Sequence, residues 1–84
     1  MNLRDSAKMT GIILTACLDH NVTLPQILGE SRKQYICKAR FEAMAEIKKN
    51  MPLMPLQDIA EAFNRKDHSS VIHAIKRHEQ LTEI

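Results

Sequence analysis

Three features of the sequence predict an all-α fold. Apolar residues recur at helical spacing in segment after segment, and no alternating apolar run suits a sheet. Glycine occurs only at Gly11 and Gly29, so little of the chain is marked for turns. Aromatics are scarce and Trp is absent, which leaves Leu, Ile, Met and Ala to supply burial by packing helix on helix. At 84 residues the chain makes a single domain over 1–84, a small bundle of about five helices around one modest core.

Taken in order, residues 1–8 are polar and are expected to extend or fray, and 12–28 hold the N-terminal helices. The run Met9–Leu18 gives the first, with Ile13, Ala16, Cys17 and His20 toward one face, Gly11 weakening its start and Asn21 stopping it. Thr23 caps a short second helix with Pro25 just inside, Ile27 and Leu28 pack inward, and Gly29 ends it. A basic loop spans 29–34. The long third helix is expected over 31–49, starting at Ser31, with Ile36, Ala39, Ala43 and Ile47 as its core stripe beside Met44. Its other faces carry Arg32, Lys33, Lys38, Arg40 and Lys48. Asn50, Pro52 and Pro55 break the chain before the last unit.

That unit, 55–81, reads as helix, tight polar corner, helix. Leu56, Ile59, Ala60 and Phe63 space the first half; Val71, Ile72 and Ile75 space the second. Asp67 or Ser69 can cap the new helix by accepting from its free backbone N–H groups. Two short helices joined by a corner, with short hydrogen-bonding side chains opening the second, form a helix-turn-helix. His68, Ser69 and Ser70 suit the floor of a major groove, and Asp67 can accept from a cytosine amino group. Lys76 and Arg77 stand two turns on, where phosphates would lie. Upstream, Arg32 in the basic loop suits a narrow minor groove, and Arg40 lies two turns along the long helix.

The net charge of +2 is unevenly placed: residues 31–84 carry ten basic against seven acidic side chains, compatible with DNA without proving it. Cys17 and Cys37 lack a CxxC spacing and sit in apolar contexts, which favours buried free thiols over a disulfide. With no secretory core and no bilayer-length apolar run, the expectation is a cytoplasmic, nucleoid-associated protein. His68, His73 and His78 fall five apart, about 140° around a helix, so they do not share a face for zinc; His73 is expected to be structural and half-buried. No phosphate loop, carboxylate pair or nucleophile with a base is visible. The chain is read as no enzyme, with no cofactor, no metal and no nucleotide.

The stretch Arg65-Lys-Asp-His-Ser-Ser-Val-Ile-His-Ala74 resembles the signature of the DnaA family of bacterial chromosomal replication initiators, in its C-terminal DNA-binding domain. Asp67, His68, Ser69, Val71, His73 and Ala74 match in type and order. Upstream, Leu56, Ile59, Ala62 and Phe63, then Ser31-Arg32, Ala39-Arg40, Ala43-Met44 and Val22–Gly29, extend the likeness over about residues 12–81. The resemblance implies a Trp-repressor-like, DnaA C-terminal-type helical fold that binds short duplex sites of the DnaA-box kind. It implies base reading by Asp67, His68, Ser69 and Ser70, minor-groove entry by Arg32, and contact to base or phosphate by Arg40. Lys33, Lys66, Lys76 and Arg77 rest on charge and placement alone, as backbone contacts.

The departures locate where behaviour should differ. The family's paired glycines are Asn64 and Arg65 here, which makes Asn64 the candidate for φ > 0. Ser70 replaces a usual threonine, Phe41 a glutamine, Glu42 an apolar residue and His78 an aliphatic one. The family's ATPase module and Walker motif do not occur in this sequence. The expectation is a stand-alone, monomeric duplex-DNA reader that regulates replication or transcription without ATPase activity. The chain is either an excised fragment or a stand-alone reader; Met1 and an ending just past the last helix suggest a natural small protein, phage- or prophage-encoded. The alternative is a protein-interaction module of the same fold that binds a host initiator or regulator.

Overall fold

A computed structural model describes residues 3–82, and among these it contains helices and no strands. Five helices follow in order: α1 (Leu3–His20), α2 (Leu24–Leu28), α3 (Gln34–Asn50), α4 (Leu56–Ala62) and α5 (Ser69–Thr82). α3 is the central post. α1, α2, α4 and α5 each pack on it, α1 also packs against α2, and α4 against α5.

Helix α1 begins at Leu3, so the expected fraying of 1–8 is corrected for residues 3–8, while 1 and 2 lie outside the described residues. The physical reason is local. Leu3, Arg4, Ala7 and Lys8 are good helix formers, Asp5 sits where the helix dipole favours an acid, and Met9 is buried. Gly11 therefore lies in mid-helix rather than near a start. The far end closes on Asn21 at φ 54°. Its N–H reaches the carbonyl of Leu18 at 3.4 Å, and the N–H of Val22 that of Cys17 at 2.9 Å, a Schellman pair with Val22 and Cys17 both buried.

Thr23 caps α2 reciprocally. Its hydroxyl accepts from the Gln26 N–H at 3.3 Å, and the Gln26 side chain accepts from the Thr23 N–H at 2.8 Å. Gly29 leaves no room for a side chain, because a Cβ there would stand 2.9 Å from the Pro25 carbonyl oxygen. Helix α3 starts at Gln34, not at Ser31. The Ser31 hydroxyl instead accepts from the Lys33 N–H at 3.3 Å, which holds the chain in a turn and delays the helix.

The core joins Met9, Ile13, Ala16 and Cys17 of α1 to Ile27, to Ile36, Ala39, Ala43, Met44 and Ile47 of α3, and to Ile59, Phe63, Val71 and Ala74. Phe63 is the largest fully buried side chain. Cys17 and Cys37 are both free thiols, and burial pushes the Cys17 pKa up. Between α1 and α3, His20 Nε2 meets Glu42 Oε2 at 2.6 Å. The Lys48 ammonium gathers the connection to α4 by donating to the carbonyls of Pro52 and Met54 at 2.9 and 3.4 Å.

Candidate DNA-binding surface

The corner between α4 and α5 is built on Asn64, which takes φ 58°. Its N–H donates to Glu61 at 3.0 Å and that of Arg65 to Ala60 at 2.8 Å, the same closure that ends α1. The expectation that Asn64 takes over from glycine is met. Gln57 Nε2 braces the corner by donating to the Lys66 carbonyl at 3.1 Å.

Asp67 caps α5, its Oδ1 accepting from the Ser69 N–H at 3.0 Å, with His68 Nδ1 at 3.4 Å from the same oxygen. The Ser69 backbone N–H, then the Ser69 side chain, hold the Asp67 carboxyl below its ordinary pKa, and His68 adds to this. Asp67, His68 and Ser69 are exposed, Ser70 half-buried. Farther along α5, Val71 and Ala74 face the core while Ile72, His73, Lys76 and Arg77 face outward. Ile72 was expected in the apolar stripe but is 37% exposed, and Ala74 occupies the core position instead. His73, expected half-buried, is exposed, with its ring edge-on to Phe41 at 6.1 Å and 87°. Arg77 Nη1 donates to Gln80 Oε1 at 3.0 Å.

The placement of Arg40 is the main correction. Expected on an outer face of the long helix, it is only 5% exposed. Its Nε donates to the Ile27 carbonyl at 2.8 Å, Nη2 to Gln26 at 3.2 Å and Nη1 to Ser31 at 3.2 Å. The guanidinium thus gathers the carbonyls at the end of α2 and the start of the basic loop. Burial, and secondarily Arg65, push its pKa down from the ordinary value. The sequence held the signal: Arg40 lies four residues after Ile36 and four before Met44, on the core stripe rather than opposite it.

A second arginine was overlooked. Arg65 Nη2 donates to the Gly29 carbonyl at 2.7 Å and Nη1 to that of Phe63 at 3.3 Å, which ties the basic loop to the corner. An arginine in place of a turn glycine was the visible signal. Between loop and corner lies a cleft of about 530 Å³, lined by Arg32, Lys66, Arg65 and Arg40, with Glu30 and Phe41. Arg32 and Lys66, chosen separately from sequence, share this cleft. Lys33 is exposed next to it in sequence, while Lys76 and Arg77 lie outside it on α5.

Among the described residues no group of His, Cys, Asp or Glu side chains is placed to hold a metal, and no helix is long and apolar enough to cross a membrane.

Comparison with known proteins agrees with this architecture. The family described as the bacterial dnaA protein helix-turn-helix matches residues 9–77. The chromosomal replication initiator proteins DnaA of Rickettsia canadensis (strain McKiel), Rickettsia akari (strain Hartford) and Rickettsia massiliae (strain Mtu5) are each 34% identical over 64 residues. The aligned part is 76% of this chain and 14% of each relative, so the chain matches a small part of their length. No solved structure matches. The chain belongs to the DnaA helix-turn-helix family, whose domain is of the DNA-binding type.

Proposed function

We propose that this chain binds duplex DNA sequence-specifically at sites related to the DnaA box, and regulates replication initiation or transcription by occupying them, with no ATP turnover of its own. One observation carries the reading: Arg32 from the basic loop and Lys66 from the corner line one cleft, and Lys66 stands three residues before the exposed opening of α5. In this reading the start of α5 enters the major groove. His68 and Ser69 read base edges, and Ser70 does so from a half-buried position. Asp67 contributes through the oxygen that does not cap the helix. Ile72 offers an apolar group to a thymine methyl, the role a threonine methyl at position 70 would have filled. Arg32 enters the adjacent minor groove. Lys33, Lys66, Lys76 and Arg77 hold phosphates and select no sequence. Arg40 acts indirectly, by fixing the loop that presents Arg32.

Selection of bound duplexes from a random pool, followed by titration at fixed salt, tests this. A consensus site is expected, with Arg32→Ala and His68→Ala each weakening it about 5- to 150-fold, the equivalent of roughly 1–3 kcal/mol, and relaxing specificity. Enrichment of no sequence would overturn the reading. A second reading, a module that binds an initiator or regulator protein, is favoured by Glu30, whose acid lines the same cleft. It predicts a protein complex whose formation depends little on salt and survives Lys66→Ala.

A further inference from the structure

Glu30 is a carboxylate in a cleft whose other charged groups are cations. Arg32, Arg40, Arg65 and Lys66 line the cleft with it, and among the described lining residues Glu30 alone is acidic. The side chains of Arg32 and Lys66 are exposed and make no hydrogen bond or ion pair among the described residues. Arg40 and Arg65 keep their charge but turn donors to backbone carbonyls, Arg40 to those of Ile27, Gln26 and Ser31, Arg65 to those of Gly29 and Phe63. Neither turns a donor to Glu30. Its carboxylate is exposed and has no hydrogen-bond or ion-pair partner among the described residues.

The chain fixes this acid in place. On one side of it the Gly29 carbonyl accepts from Arg65 Nη2 at 2.7 Å, and on the other the Ser31 carbonyl accepts from Arg40 Nη1 at 3.2 Å. These are charge-assisted bonds, roughly twice as strong as neutral ones. Gly29 also lies so near the Pro25 carbonyl oxygen that a Cβ would stand 2.9 Å from it. Phe41 adds an apolar wall, and a charged cleft with such a wall concentrates the field that an approaching ion meets.

With the start of α5 in the major groove and Arg32 in the adjacent minor groove, the cleft between loop and corner faces the sugar–phosphate strand that divides the two grooves. We propose that Glu30 limits the strength of DNA binding, a role that rests on the DNA reading above. Its negative charge opposes the phosphates that Arg32 and Lys66 attract, and weakens the hold on every duplex alike. Phosphates carry no sequence information, so the acid lowers affinity without changing which site is preferred. A charge beside a binding surface acts chiefly on the rate of association and on its response to salt. The acid thereby raises the protein concentration at which a site fills.

Anisotropy titration of labelled duplexes at several salt concentrations, from about 50 to 200 mM, tests this with the native chain and Glu30→Gln, which keeps the shape and removes the charge. The variant is expected to bind a selected duplex and a random one each about 3- to 10-fold more tightly at the low-salt end, with the gain shrinking as salt rises. The slope of log K against log salt should steepen by roughly one, and adding Lys66→Ala should return affinity near the native value. The melting temperature should not move, since the side chain is exposed and unbonded. Equal affinity of the native chain and Glu30→Gln overturns the proposal and leaves the DNA reading standing. Weaker binding by the variant overturns it too, by making the acid an acceptor for a DNA group. If neither chain binds any duplex, the DNA reading fails and the proposal fails with it.

Discussion

Arg40 and Arg32 are both basic residues near a proposed DNA surface, yet their burial separates their roles. Replacing Arg40 by Ala leaves the Ile27 carbonyl without its side-chain donor in a largely buried site, and leaves those of Gln26 and Ser31 with only the Gly29 N–H at 3.3 Å and the Cys37 thiol at 3.7 Å. Chemical denaturation should show a loss of about 3 kcal/mol. Arg32→Ala, at an exposed position, should leave stability within about 0.5 kcal/mol and affect DNA affinity alone. Asp67 combines two uses, cap and candidate base reader. Its pKa lies lower in the folded chain than in the unfolded one, so the stability it adds is present above the ordinary carboxylate range and fades as pH falls through that range to the lower folded value. Thermal melts from pH 7 to pH 2 should show this acid-linked loss in the native chain and less of it in Asp67→Asn, which keeps a capping oxygen without the titration. The Asp67 cap was legible in the sequence because the signal for it is local. The burial of Arg40 is not legible as long as its charge outweighs its position on the stripe, and the tie of Arg65 is not legible because its partner Gly29 lies far away in sequence.

At the scale of elements, helix ends decide the path of the chain. α1 and α4 each end on an asparagine in the left-handed region with the same two backbone bonds, and this redirects the chain within two residues. Asn64→Gly should be close to neutral, because glycine takes this conformation without strain. Asn64→Val should destabilise by about 1–2 kcal/mol, since a β-branched residue tolerates it worst; equilibrium unfolding in urea checks both. The apolar stripes of α3 and α4 were legible from period alone, as was the capping of α2 by Thr23. The start of α1 was not, because residues 1–8 are polar in composition while intrinsic helix propensity and the single anchor Met9 govern the outcome. Ile72 shows the limit of periodicity on α5: its apolar side chain does not sit on the core side.

For the whole molecule, phosphate contacts should dominate affinity and its response to salt. Lys66→Ala is expected to weaken all duplexes alike and to reduce the slope of log K against log salt by about one, measured by titration at several ionic strengths. The bundle order was legible because each helix carries its own stripe, but how the basic loop sits against the corner was not, since it depends on two arginines and a glycine carbonyl brought together from three segments. The bond from Arg65 to Gly29 ties the corner to the loop, and Arg40 ties the same loop to α3 through Ser31. If the proposed function holds, two groove-reading elements joined in this way would behave as a chelating ligand of fixed bite: once one is seated, the other is already at high effective concentration, provided the spacing on the DNA fits. One inserted base pair shifts the second groove by about 3.4 Å and turns it by roughly 35°, which a stiff bite cannot follow. The protein would therefore measure the phase between its two contacts as strictly as it reads the bases within them.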